Sequence, residues 1–97
     1  MAFNTGEVTI DFGSHPGNNE ASVTVTGQTA ISATSKAESF VMADDTTTDH
    51  TADDHRWLGQ FVSFTCSNPV AGVGFTIYGR SIHKMTGQFK LKFVWSD

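Results

Sequence analysis

The sequence predicts an all-β domain, a small antiparallel β-sandwich or barrel of jelly-roll-like type, with about seven strands and one long acidic loop. Three observations lead there. Apolar residues recur at period two in several short segments, and Gly, Pro, Asn and Asp cluster between those segments. No stripe at helix period competes with them. The length of 97 residues leaves room for one hydrophobic core, so residues 1–97 are expected to form a single domain.

The strands follow in order. Val8, Ile10 and Phe12 alternate with Glu7, Thr9 and Asp11 in a half-buried strand over 7–12. The run Gly13-Ser14-His15-Pro16-Gly17-Asn18-Asn19 is a loop on its turn chemistry. Ala21, Val23 and Val25 mark a second strand, and Thr29, Ile31 and Ala33 a third beyond Gly27. Glu38–Met42 reads as a short fourth strand whose consecutive apolar residues, Phe40, Val41 and Met42, are expected to be covered on both faces. Val62, Phe64 and Cys66 share a fifth, and Val73, Phe75 and Ile77 a sixth, with Asn68-Pro69-Val70-Ala71-Gly72 as the hairpin turn between them. Ser81–Thr86 is expected to be the next loop, followed by a strand carrying Phe89, Leu91, Phe93 and Trp95. The expected core is Val8, Ile10, Phe12, Val23, Val25, Phe64, Cys66, Phe75, Ile77, Phe89, Leu91, Phe93 and Trp95.

The segment 43–57 differs in kind, with five acids and almost nothing apolar before Trp57. Within it Thr51-Ala52-Asp53-Asp54 fits a capping box, a Thr N-cap followed three residues later by an acid, which predicts one helical turn over 52–58.

Charge and cysteine content exclude several functions. A net charge of −4 with six dispersed Lys and Arg residues argues against nucleic acid, whose binders need clustered cations to displace counterions. No apolar run reaches the ~20 residues a spanning helix needs, and the first residues carry no secretory leader pattern, so a soluble chain outside the secretory route is expected, with no membrane partner. The lone Cys66 offers no intramolecular disulfide, and its place beside Val62 and Phe64 makes it core filler rather than a nucleophile. Gly72-Val73-Gly74 leads into a strand rather than a helix, so it is no phosphate loop. His15 and His83 are solitary loop histidines. Nothing pairs a nucleophile or acid with a supporting base, so no catalytic residue, enzymatic activity or cofactor is expected.

Asp49-His50-Thr51-Ala52-Asp53-Asp54-His55 holds two imidazoles and three carboxylates, all chemically able to bind a metal. His50 and His55 are nevertheless about 140° apart on a helix and on opposite faces of a strand, so they share an ion only from an irregular loop or across a symmetry axis. They stand as weak metal candidates, and the segment reads first as a polar loop with a capped turn. Trp95 extends the core face of the last strand, whereas Trp57 anchors the loop either to the body or to a neighbouring chain. Binding commonly sits on loops of a rigid β scaffold, so His50, His55, Trp57, Asp49, Asp53 and Asp54 are the expected partner contact.

The runs Val23-Thr24-Val25-Thr26-Gly27, Ala37-Glu38-Ser39-Phe40-Val41-Met42, Thr48-Asp49-His50 with His55, Pro69 through Tyr78, Thr86-Gly87 and Val94-Trp95 together resemble a family of small structural proteins of tailed-bacteriophage virions. The resemblance extends over nearly the whole chain. It implies a particle component made in the bacterial cytoplasm and located in the virion. The expectation that follows is a capsid decoration or cement protein, trimeric, bound to the major capsid protein on the outside of the head. A tail, neck or fibre-associated component is the alternative, and a metal- or glycan-binding receptor module is an alternative of another class.

Overall fold

The computed structural model describes residues 3–44, 46–47, 50–67 and 69–96. Six strands and one helix follow one another in the chain: β1 (Phe3–Asp11), β2 (Asn18–Val25), β3 (Lys36–Val41), α1 (Ala52–Leu58), β4 (Val62–Cys66), β5 (Phe75–Met85) and β6 (Gln88–Ser96). They form two antiparallel sheets, ordered β1-β6-β3 and β2-β5-β4. The first strand thus pairs with the last and the second with the fifth, while β3 returns to β6 and β4 to β5. That is jelly-roll winding carried out with fewer strands than the usual eight.

Alternation along each strand sends one set of side chains between the sheets. Phe89, Leu91, Phe93 and Trp95 point inward from β6, and Phe75 and Ile77 meet them from β5. Phe75 and Phe93 pack edge to face across the interior, with centroids 5.4 Å apart. Every residue of the expected core lies in this cluster or packs against it, with Val8, Val23, Phe64 and Cys66 partly buried at its margin. Trp95 keeps its indole N–H satisfied inside by donating to the Gln28 side-chain oxygen at 2.9 Å. Gly6 lies under the Phe93 ring of the neighbouring strand, and a Cβ there would collide with it. A side chain at residue 6 would therefore push a core aromatic out of place.

The expected elements change in several places, and β2 already begins at Asn18, inside the expected 13–19 loop. Thr29–Ala33 is not a strand, so the described residues form six strands. Instead, Ile31 N–H donates to the Gln28 carbonyl and Ser35 N–H to that of Ser32, making two successive turns. The Ser32 and Ser35 hydroxyls hydrogen-bond locally, the competition with ladder formation expected of such residues. Ile31 plugs the core from this loop. β1 begins at Phe3 rather than residue 7, in unbroken register with β6. β5 begins at Phe75, leaving Val73 exposed in the turn, and continues through the expected loop 81–85 because Ser81 and Met85 still point inward. The chain reverses only at Thr86-Gly87, where Gly87 exchanges backbone hydrogen bonds with Phe12 and Gly13. Finally, Phe40 and Met42 are exposed, because the outer face of the β1-β6-β3 sheet is uncovered. The Asn68 position of the expected turn lies outside the described residues.

Candidate functional site

The helix forms where the capping pattern predicts it. Thr51 is in extended geometry (φ −86°, ψ 173°), and its hydroxyl accepts from the Asp54 N–H at 3.2 Å. The Asp54 carboxylate accepts in return from the Thr51 N–H at 3.1 Å. Both bonds of the box are present, and Asp53 and Asp54 sit at the positive end of the helix dipole. Replacement Thr51→Ala is expected to cost about 1 kcal/mol in urea denaturation, with Thr51→Ser retaining most of it. Equal midpoints for the two variants would show that the cap contributes nothing.

One helix face holds His55 and Leu58, both fully buried, and the opposite face presents Asp53, Arg56 and Trp57. His55 is fixed by geometry. Its Nδ1 faces the Thr51 carbonyl at 2.9 Å and must donate, and its Nε2 accepts the Lys90 backbone N–H at 2.9 Å. This is the neutral Nδ1–H imidazole, with Nδ1 bonded back to the helix start and Nε2 binding α1 onto β6. Its ring meets Phe89 edge-on at 5.2 Å, and the His50 ring stacks on the same Phe89 at 3.9 Å with 16° between planes. His50 Nε2 donates to the Thr86 carbonyl at 2.7 Å, and its Nδ1 faces Asp54 at 3.2 Å.

The structure therefore brings the two histidines onto one aromatic ring, and uses them as struts. No ring nitrogen of His55 is left for an ion. Among the described residues no group of three or more His, Cys, Asp or Glu side chains is placed to hold a metal. Asp54 belongs to the capping box and the His50 contact. Asp53 faces outward and pairs with Arg56 at 3.5 Å, both ends exposed. Asp49 lies outside the described residues.

The Asp54 carboxyl is held below the usual carboxylate range, first by the Thr51 N–H and then by the His50 ring. A carboxyl depressed in the fold favours the folded state while ionised. Its contribution is present above the unfolded carboxylate range and is lost as pH falls through the folded value. Burial, and then the Glu38 charge, raise the Cys66 thiol above its ordinary value. This opposes the thiolate a nucleophile needs.

Trp57 takes the outward course. It is 49 % exposed and packs on Phe61, with centroids 4.4 Å apart, while Phe61 meets the His83 ring at 5.1 Å. Ile82 precedes His83 in β5, points to the opposite face of the sheet, and is 75 % exposed. Of this surface the sequence marks only Trp57. Phe61 falls between the helix and β4 with no period to assign it, and Ile82 and His83 resemble loop residues because β5 runs longer than its apolar alternation. Tyr78 is also exposed, on the outer face of the same β2-β5-β4 sheet between Ser22 and Thr65. No family model matches the chain, and neither does any curated protein or solved structure.

Proposed function

We propose that this chain is a non-enzymatic structural component of a phage particle, a cement protein that binds the outside of the head and clamps major capsid subunits together as a trimer. The observation that carries the reading is the Trp57–Phe61 pair, held outward by a helix whose reverse face is pinned by the buried His55 and Leu58. Aromatic side chains on a pre-ordered support lose little conformational entropy on docking, which is what makes them dominant contacts in interfaces. Among the described residues the four outer strands β1, β2, β3 and β4 each have one hydrogen-bonded neighbour, so sheet edges add a second means of joining other chains. His50 and His55 act behind this surface rather than in it, which narrows the expected contact to Trp57 and its neighbours.

The test is incorporation. In particles assembled with the protein, separated heads are expected to carry it and separated tails to lack it by mass spectrometry. Paired replacement of Trp57 and Phe61 by Ser removes an aromatic anchor of about 2 kcal/mol or more, so occupancy at limiting concentration should fall about thirtyfold. The melting temperature should move by only a few degrees, because Trp57 is half exposed. Recovery in tails alone would replace the head reading with the tail one. Unchanged occupancy of the double variant would remove this patch from the interface.

A further inference from the structure

We propose that His50 is a charge-gated latch, fastening the start of α1 to the β5–β6 turn while its ring carries both protons and loosening when one leaves. Both ring nitrogens of His50 face groups that can only accept. The Thr86 carbonyl lies 2.7 Å from Nε2, and the Asp54 carboxylate lies 3.2 Å from Nδ1. A neutral imidazole has one N–H. It can serve one of these acceptors and must turn a lone pair on the other. The imidazolium serves both, and its charge sits 3.9 Å above the electron-rich face of Phe89.

His55 gives an internal contrast. It touches the same Phe89, yet its Nε2 faces a donor, the Lys90 N–H, so its hydrogen bonds are complete only in the neutral ring. Two histidines five residues apart are thus wired for opposite protonation states, and His50 alone gains a bond with the second proton.

Among the described residues, the ionisable groups around the latch include Asp44, which interacts with Lys90 and His55 from the loop preceding α1. Asp54 faces His50 from α1, while the exposed Asp53 pairs with Arg56. From β6, Lys90 extends toward Glu7, 3.9 Å away, and Lys92 also pairs with Glu7. On the far side of the turn, Asp11 and His15 line a hollow with Thr86, and Asp11 accepts from the Gly13 N–H. Among the described residues, Asp54 is the carboxylate in contact with the ring. The latch is therefore complete where Asp54 is ionised and His50 protonated. It weakens when the ring gives up its second proton and one of the two acceptors loses its donor.

The direct readout is amide hydrogen exchange, corrected for the intrinsic pH dependence of exchange, together with the side-chain 15N shifts of His50. The Asp54 and His55 amides report the attachment, since they donate to Thr51 Oγ1 and the Thr51 carbonyl at the helix start. Their protection is expected to fall about threefold to tenfold between pH 5.5 and 8, the size of one charge-assisted bond reduced by solvent exposure. His50 should show two protonated nitrogens at pH 5.5. His50→Gln, which cannot titrate, should flatten the dependence. Asp54→Asn should remove or invert it, because an amide nitrogen can donate to a neutral ring. Protection independent of pH in the unaltered chain would overturn the proposal. So would the same dependence in His50→Gln, or a neutral His50 ring at pH 5.5. None of these outcomes bears on particle binding, so the latch and the cement reading stand or fall separately.

Discussion

Replacement His55→Ala is expected to lower the folding free energy by about 3–5 kcal/mol, measured from urea midpoints at neutral pH. Two costs add. Removing a fully buried ring leaves a cavity among α1, β6 and Phe89, and large-to-small changes at such sites cost about 2–5 kcal/mol. The Lys90 N–H, deprived of its acceptor inside the sheet, carries a further ~1–3 kcal/mol of desolvation. The terms overlap where water enters the cavity, so their sum is an upper bound. Domains of this size have a total stability of about 5–15 kcal/mol, so the variant should be close to unfolding at 37 °C. His55→Phe separates the two costs, because it refills most of the volume and leaves the N–H orphaned. It should fall between the parent and alanine. A phenylalanine variant as stable as the parent would show that the imidazole acts by bulk alone.

His55 also shows where the sequence was informative and where it was silent. Its neighbours Thr51 and Asp54 announced the helix, because a capping box is a local pattern whose three-residue spacing is set by helix geometry. The β strands were legible for a similar reason, since period two survives wherever one sheet face is buried. That logic fails at residues 29–33, where alternation is present but the Ser35 hydroxyl accepts from the Ser32 N–H and two turns take other backbone hydrogen bonds. It fails again at residues 81–85, where the ladder outlasts the apolar pattern. Whether an imidazole is a ligand, a partner contact or a strut depends on the group opposite each nitrogen. For His55 that group is Lys90 N–H, 35 residues away, and for His50 it is the Thr86 carbonyl, 36 away. No spacing rule within the 43–57 segment contains either distance. The outward direction of Trp57 has the same origin, since the inner helix face was already taken by His55 and Leu58.

The second large effect is expected at Gly74, where substitution by alanine should cost about 2–4 kcal/mol. A Cβ on Gly74 would overlap the Val25 carbonyl oxygen and approach its carbon to 2.8 Å. Both are backbone atoms, so no rotamer change relieves the collision and the end of β2 must move. That end cannot move freely. Val25 and Phe75 are opposite one another in the ladder and both are buried, so displacing β2 opens the core. The same turn also docks on the 26–31 loop, with Gln28 N–H donating to the Val73 carbonyl at 3.0 Å and Gly72 N–H to that of Ile31 at 2.9 Å. Ile31 is a core plug held by these bonds, so the disturbance reaches the interior by two routes. Gly72 provides the control. It lies in the left-handed region at φ 72°, but a methyl group added there would meet nothing within 4 Å, so Gly72→Ala should cost only the backbone preference, about 1 kcal/mol. Gly74, at φ 157°, carries a backbone preference of its own, so its excess loss over Gly72→Ala reports the close approach together with that rarer conformation. Equal losses would mean that the turn yields to the added carbon without displacing β2.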